Sequence, residues 1–464
     1  MNRFLISLLV LVSLSSTTLA QQTIPAFVSG DRVALVGDSI THGGHYHSYI
    51  WLYYMTRFPN MPLTIMNCGV GGDTAENIIN RWDWDVIRRN PTYITLTFGM
   101  NDTGYFGIYG KDIPESRSEK KVSESLDNFS KLVEKLEAVS PETRVVMIGG
   151  SPYDETTKFN DGSLPGKNAA IQKIISAQET AAGNHGWGFV DFNAPMVELA
   201  AVAQAEDPKY SFCPQDRIHP DKDGQMVMAY LFLKAQGLAG KKVAEVDIDA
   251  KARKLRAADN CAIYGLRKEG EGVAFDYLAN SLPYPCDSVS EHGWGNIHSQ
   301  RDAMKMIPFM EEFNQEILRV RKLSEGDYLL SIDGQPIDVF PASELSEGIN
   351  MAAITTTPQY RQASEIMYLN EERFEIEKRM REYVWMEYNM FKDSDQIFKD
   401  DWKSLEMVEK EAKRNFFVAM SGYWYKKSVS PHIREVWQNQ MSDLVDTIYS
   451  INKPLMRHIT IQKL

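Results

Sequence analysis

The sequence predicts an α/β protein: a three-layer α/β/α domain with a parallel sheet, followed by a small β-meander and a helical C-terminal region. Three observations predict it. Short apolar, β-branched runs recur at RVALV (32–36), LTIMN (63–67), YITLTF (93–98), RVVMIGG (144–150) and WGFVDF (187–192). Longer amphipathic stretches separate them, such as TAENIINRWDWDVIRRN and SEKKVSESLDNFSKLVEKLEAV. After Gly240 the texture changes to fewer apolar runs and more charge. Strands that are apolar on both faces and joined by helices belong to a parallel sheet covered on both sides, whose chemistry sits at the carboxyl ends of the strands.

Taken in order, residues 1–20 (MNRFLISLLVLVSLSSTTLA) run from a basic Arg3 through an apolar stretch to small residues, the pattern of a secretory signal peptide cleaved after about Ala20. Gln21 is not a cysteine, so no lipoprotein acylation site stands there. No later segment approaches the ~18 uninterrupted apolar residues that a membrane span requires. The mature protein is therefore expected to be soluble, secreted or periplasmic, with no membrane partner. Residues 21–240 form the α/β domain. Residues 241–315 are expected to be an irregular and helical connection, with IDAKARKLRAADN (248–260) helical and LPYPCDSVSEHGWGN (282–296) irregular. The meander spans 316–356, because Asp333-Gly334 between alternating apolar runs is a hairpin signal and Pro336 puts the return strand at an edge. Residues 357–464 are expected to be helical: Ile366, Leu369, Ile376, Met380, Tyr383, Met386 and Met390 follow a 3–4 spacing broken at Arg373, with further helices over 399–420 and 433–451.

Composition narrows the partners. A chain of 464 residues with 43% hydrophobic content can bury a large core. Its net charge of −12 lacks the basic footprint that nucleic acid or an anionic membrane would need. Four cysteines allow three pairings, among which Cys261 with Cys286, close in sequence, is preferred; Cys68 and Cys213 are left paired or buried. With no Cys-x-x-Cys, a structural zinc site is not expected.

The chemistry starts at VGDSITHGG, where Ser39 directly follows the first strand. A serine hydroxyl needs a base to take its proton. His219, in QDRIHPDKDG, is the candidate, and Asp216 three residues earlier can accept from its Nδ1 and leave Nε2 for the serine. Acyl transfer also needs donors for a developing oxyanion. NCGVGGDT (67–74) at the second strand end offers glycine amides, and TFGMND (97–102) at the third offers the Asn101 carboxamide. Each of these alone reads as a turn or a helix cap; three strand ends in register with a downstream Asp-x-x-His are harder to reach by chance.

GDSI (37–40), NCGVGGDT, GMND (99–102) and DRIHP (216–220) resemble, in order and spacing, the four signature blocks of the GDSL-like SGNH hydrolases, lipases and esterases of flavodoxin-like fold. The resemblance covers roughly residues 30–240, with GDSI in place of the usual GDSL. It implies Ser39 as nucleophile, His219 as base and Asp216 as the acid orienting it. It also implies an oxyanion hole from the amides of Ser39 and Gly72 and the side chain of Asn101. Gly72 is chosen because it immediately precedes Asp73-Thr74, as in the family's block. Such enzymes cleave carboxylic esters and need no metal or other cofactor.

His42, His45 and His47 in THGGHYH are spaced like metal ligands, but a pocket wall or loop cap is the favoured reading, with His42, His45 and Tyr46 as substrate contacts. Trp294, in EHGWGNIH with His292 and His298, could stack on a sugar; an anchor under a loop is the commoner use of such a Trp. The C-terminal methionines read as core filling. The expected reaction is ester hydrolysis through an acyl-enzyme, with a small O-acetyl or methyl ester on a polysaccharide or oligosaccharide as substrate. A lysophospholipase or thioesterase would share the same catalytic residues, and a non-catalytic carbohydrate-binding protein is the third reading. The oligomeric state is left open.

Overall fold

The computed structural model describes residues 24–289 and 297–464. Five strands, β1 (Arg32–Gly37), β2 (Thr64–Gly69), β3 (Tyr93–Leu96), β4 (Arg144–Gly149) and β5 (Gly188–Asp191), form one parallel sheet in the order β2-β1-β3-β4-β5. This is the flavodoxin-like order, in which the chain reverses direction of progress at β1 and opens a crevice beyond the carboxyl ends there. The strands are buried almost throughout, as their apolar runs require.

Helices α1 (Ser39–Gly43), α2 (Tyr46–Arg57), α3 (Ala75–Arg81), α4 (Ser116–Glu137), α5 (Lys167–His185), α6 (Asn193–Glu206) and α7 (Lys222–Ala235) complete this part. Helices α4 and α5 pack together on one side of the sheet, α2 and α7 on the other. Every residue of α2 is buried. It is enclosed because the C-terminal helices cover its outer face, so YIWLYYM can be apolar all round.

The connecting region differs from expectation. Residues 248–260 are not helical: β6 (Ala244–Asp249), β7 (Lys254–Asp259), β8 (Cys261–Glu269) and β9 (Gly272–Ala279) run through the stretch. Lys, Arg and Ala favour a helix, but β7 is an edge strand whose side chains are mostly exposed, a setting that tolerates charge. The short α8 (Phe309–Phe313) precedes β10 (Glu316–Arg321), β11 (Asp327–Ile332) and β12 (Gln335–Pro341), then α9 (Ala342–Glu347) and β13 (Ile349–Asn350).

The β11–β12 hairpin turns at Asp333 (φ 51°) and Gly334 (φ 77°), and Pro336 lies on the edge strand β12. The expected single meander is nevertheless divided. β10 joins a four-stranded sheet, β13-β10-β6-β7, while β11 and β12 belong to a second sheet, β12-β11-β14-β9-β8. Its middle strand, β14 (Arg457–Lys463), interrupts the expectation of helix to the end of the chain. Both sheets bury one cluster that includes Val246, Phe275, Leu318, Leu330 and Ile461.

The remaining helices are α10 (Pro358–Trp385), α11 (Trp402–Glu411), α12 (Phe416–Ser428) and α13 (Pro431–Ile451), so the helix expected over 399–420 is two. Helix α10 starts on Thr357, whose side chain caps the Tyr360 amide, and it packs against α1, α2 and β2. All four cysteines are free, which corrects the Cys261–Cys286 pairing. Cys261 opens β8 beside the two-sheet cluster, while Cys286 packs against the core of the parallel-sheet domain.

Candidate active site

Ser39 stands at the carboxyl end of β1 as the first residue of α1, where a helix leaves its N–H groups unpaired. Asp38 caps the helix by accepting from the Ile40 amide at 2.9 Å. Burial pushes the Asp38 carboxyl up to about 6. Across the crevice, His219 Nε2 lies 2.7 Å from Ser39 Oγ, and His219 Nδ1 lies 2.5 Å from Asp216 Oδ2. The other Asp216 oxygen accepts from the amides of Ile218 and His219, both at 2.9 Å. Burial works to raise the Asp216 carboxyl, but the bond from His219 and these amides outweigh it and hold the group below the usual carboxylate range. A hydroxyl, an imidazole and a carboxylate aligned in this way can move a proton off the hydroxyl and stabilise the imidazolium that results.

The turn that carries the last two is strained and anchored. Arg217 adopts φ 67°, a conformation that disfavours a side chain by about 1–2 kcal/mol. Its buried guanidinium donates to the carbonyls of Asp154 and Thr157 at 3.0 and 3.1 Å, which holds the backbone in place.

Two further strand ends meet here. After β2, Gly72 has φ 84°, open to glycine at no cost, and its N–H meets no acceptor among the described residues. After β3, Asn101 Nδ2 donates one hydrogen to Asp73 O at 3.0 Å, which leaves its second hydrogen for another acceptor. Its Oδ1 accepts from Tyr105 OH at 2.7 Å, so the orientation of the carboxamide is fixed. Asp102 ties the same turn down, accepting from the amides of Gly99 and Ala75 and from Ser125 Oγ. A hydroxyl hydrogen-bonded to a base in this way can act as the nucleophile of an acyl transfer.

Residues 35–227 match the GDSL-like lipase/acylhydrolase family, and residues 364–453 match the diltiazem deacetylase C-terminal helical domain. A solved structure described as a gut microbial diltiazem-metabolizing enzyme is 45% identical, spans 96% of this chain and 100% of its own, and superposes with a TM-score of 0.92. The chain belongs to the GDSL-like lipase/acylhydrolase family. An acetylxylan esterase of Geobacillus stearothermophilus is 24% identical over 234 residues, 45% of this chain and 95% of that protein. The protein is thus a carboxylic ester hydrolase.

In this hydrolase the three expected substrate contacts after the nucleophile lie elsewhere. His42 is buried, its Nδ1 accepting from the Gly71 amide at 3.1 Å and its Nε2 lying 3.5 Å from Glu382. His45 packs on Tyr49 and Phe374, and Tyr46 is buried with its hydroxyl 3.1 Å from Thr41 Oγ1. His45 and Tyr46 are inside because α2 begins at Tyr46 and runs beneath α10, and His42 because α1 also packs against α10. Trp294 and His292 fall outside the described residues. No group of three His, Cys, Asp or Glu side chains among the described residues is placed to hold a metal ion.

Sequence reasoning missed the groups that brace the site. Asp85, fully buried, accepts bidentately from Arg381 at 2.7 and 2.6 Å and also from Arg81 and Arg89. Burial would raise its carboxyl, but Arg381 first, then Arg89 and Arg81, hold it well below the usual range. Glu377 accepts from the Asn67 amide at 2.8 Å, and Arg381 Nε donates to Gly69 O at 3.0 Å. The available signal was the run Asn370, Arg373, Glu377 and Arg381 at helical spacing in α10, a polar stripe that by itself is indistinguishable from a solvated helix face.

Proposed function

We propose that this hydrolase is an exported serine esterase that removes small acyl groups, O-acetyl first, from a carbohydrate alcohol. The hydrogen-bonded chain from Ser39 through His219 to Asp216 carries the reading. Ser39 Oγ attacks the ester carbonyl while His219 Nε2 takes its proton. The amides of Ser39 and Gly72 and the Asn101 carboxamide hold the oxyanion, and the intermediate collapses to acyl-serine as His219 returns the proton to the leaving alcohol. Water, deprotonated by the same imidazole, then releases acetate and restores the serine. The acetylxylan esterase and diltiazem deacetylase likenesses support acetyl over a lipid chain. The 45% identity to a diltiazem-metabolizing enzyme favours a second reading, in which the substrate is the acetate ester of a small molecule such as diltiazem.

The test is a release assay with the protein and Ser39→Ala on acetylated xylan, diltiazem and a methyl-esterified polysaccharide, quantifying acetate and methanol. Acetate from the first or second that vanishes in Ser39→Ala is the expected result. Methanol alone would reassign the ester, and turnover of p-nitrophenyl palmitate without acetate release would revive the lipid esterase. Failure to hydrolyse p-nitrophenyl acetate or to label with a fluorophosphonate would leave a non-catalytic carbohydrate binder.

A further inference from the structure

The Gly72 turn is closed by its own Asp73 N–H to Val70 O at 3.2 Å, but Gly71 and Gly72 have no side chains to pack and Gly72 is exposed, so the Gly71–Gly72 peptide has no side chain of its own turn to hold it. The groups that fix it come from α10. The Trp385 indole N–H donates to Gly71 O at 3.0 Å. That carbonyl and the Gly72 N–H belong to the same peptide unit, which is planar and trans, so the two point in opposite directions. A donor that fixes the carbonyl therefore fixes the aim of the N–H. It also draws electron density toward the oxygen and makes the N–H a stronger donor, as in any chain of hydrogen bonds. The preceding peptide is held as well. The Gly71 N–H donates to His42 Nδ1 at 3.1 Å, which leaves the ring hydrogen on Nε2, facing Glu382 of α10 at 3.5 Å. Arg381 fixes Gly69 O two residues earlier, where a Cβ on Gly69 would stand 2.3 Å from the backbone nitrogen of His42 and push α1 away from β2.

We infer that Trp385, seconded by the Glu382–His42 pair, is a positioning residue for the oxyanion hole, so that the helical C-terminal region is part of the catalytic apparatus and not only a cover for the sheet domain. The inference rests on the reading of Gly72 as an oxyanion donor. Trp385 touches no reacting atom; it acts through the Gly71–Gly72 peptide.

The experiment compares full-length Trp385→Phe, Glu382→Leu and Gly72→Pro with the parent and with Glu372→Gln, an exposed change on the same helix. Steady-state kinetics on p-nitrophenyl acetate, the rate of fluorophosphonate labelling and thermal unfolding are measured for each. Removal of an oxyanion donor outright costs about 10²–10³ in kcat, so loosening one should cost about tenfold. Trp385→Phe and Glu382→Leu are expected to lower kcat and the labelling rate by about that factor, with KM within about twofold and the protein folded at the assay temperature, while Glu372→Gln matches the parent. Unchanged kcat in Trp385→Phe with a lowered Tm would overturn the inference, since a purely structural tryptophan moves stability and not the rate of folded enzyme. A Gly72→Pro variant, which has no N–H at this position, would with full activity instead remove the oxyanion reading of Gly72 itself, which separates the two failures.

Discussion

The two turns that face Ser39 from neighbouring strands are braced in different ways. The Asn101 turn is held from inside the parallel-sheet domain: Tyr105 orients the carboxamide, and the buried Lys167 ammonium, 3.9 Å over the Tyr105 ring, donates to Met100 O, Thr103 Oγ1 and Gly104 O. The Gly72 turn is held from outside, by side chains of α10 that are more than 300 positions further along the chain. A turn with side chains can lock itself with its own neighbours. A turn of glycines has only its backbone for that, here the Asp73 N–H to Val70 O bond, and any side-chain brace for it has to be imported.

That contrast can be broken from either side. The largest expected effect is at Asp85, where the parallel-sheet domain and α10 share one carboxylate between three arginines. Asp85→Ala leaves buried guanidinium groups uncompensated and should destabilise the fold by about 3–5 kcal/mol, read by urea unfolding. Because the folded-state carboxyl lies below its ordinary value of 3.8, its contribution is complete above that pH and is lost only as pH falls further. The difference between parent and Asp85→Ala should thus be flat above pH 4 or so and shrink in stronger acid.

Lys167→Met tests the internal brace. It should lower kcat by about tenfold with Trp385 and its bond untouched, because three backbone and hydroxyl acceptors around Asn101 lose their donor. Burial pushes the Lys167 ammonium down from 10.5 to about 7. Between these values the unfolded chain holds the extra proton, so the cost of burying the group is full below 7 and is relieved as pH rises toward 10.5. Parent stability relative to Lys167→Met should therefore rise across that window. Tyr105→Phe is milder: one hydrogen bond to Asn101, worth about 1 kcal/mol, corresponds to about fivefold in kcat. Smallest of all is a reductant, which should leave Tm unchanged because the four thiols are free.

How much could be read in advance follows the same division. Strands such as RVALV and RVVMIG announce themselves because burial on both faces demands an unbroken apolar run. AEVDID in β6 and RHITIQK in β14 alternate, as strands with one buried face do, but their charges and their helix-rich neighbourhood hid the period of two. Helix α2 was invisible for the opposite reason, having no polar face to set a period. In the site, the hydrogen-bonded chain of Ser39, His219 and Asp216 was legible because the chemistry restricts which residue types can serve. Trp385, Glu382 and Arg381 were not, because nothing local to α10 tells which distant backbone a side chain will meet.

Strand β14 pairs with β9 on one side and β11 on the other, so residues 273–277 wait for residues 457–461 before the five-stranded sheet can close. All of α10 to α13 is synthesised in the interval. Until then the sheet exists as two separate hairpins with open edges, β8–β9 and β11–β12, and pairing at such sequence distance is slow. Once closed, the sheet grips the chain on both sides of the helices. A single proteolytic cut between α10 and α11 would leave two fragments clasped through β14, and the helical region can be excised only as an internal deletion, never by trimming the chain from its end.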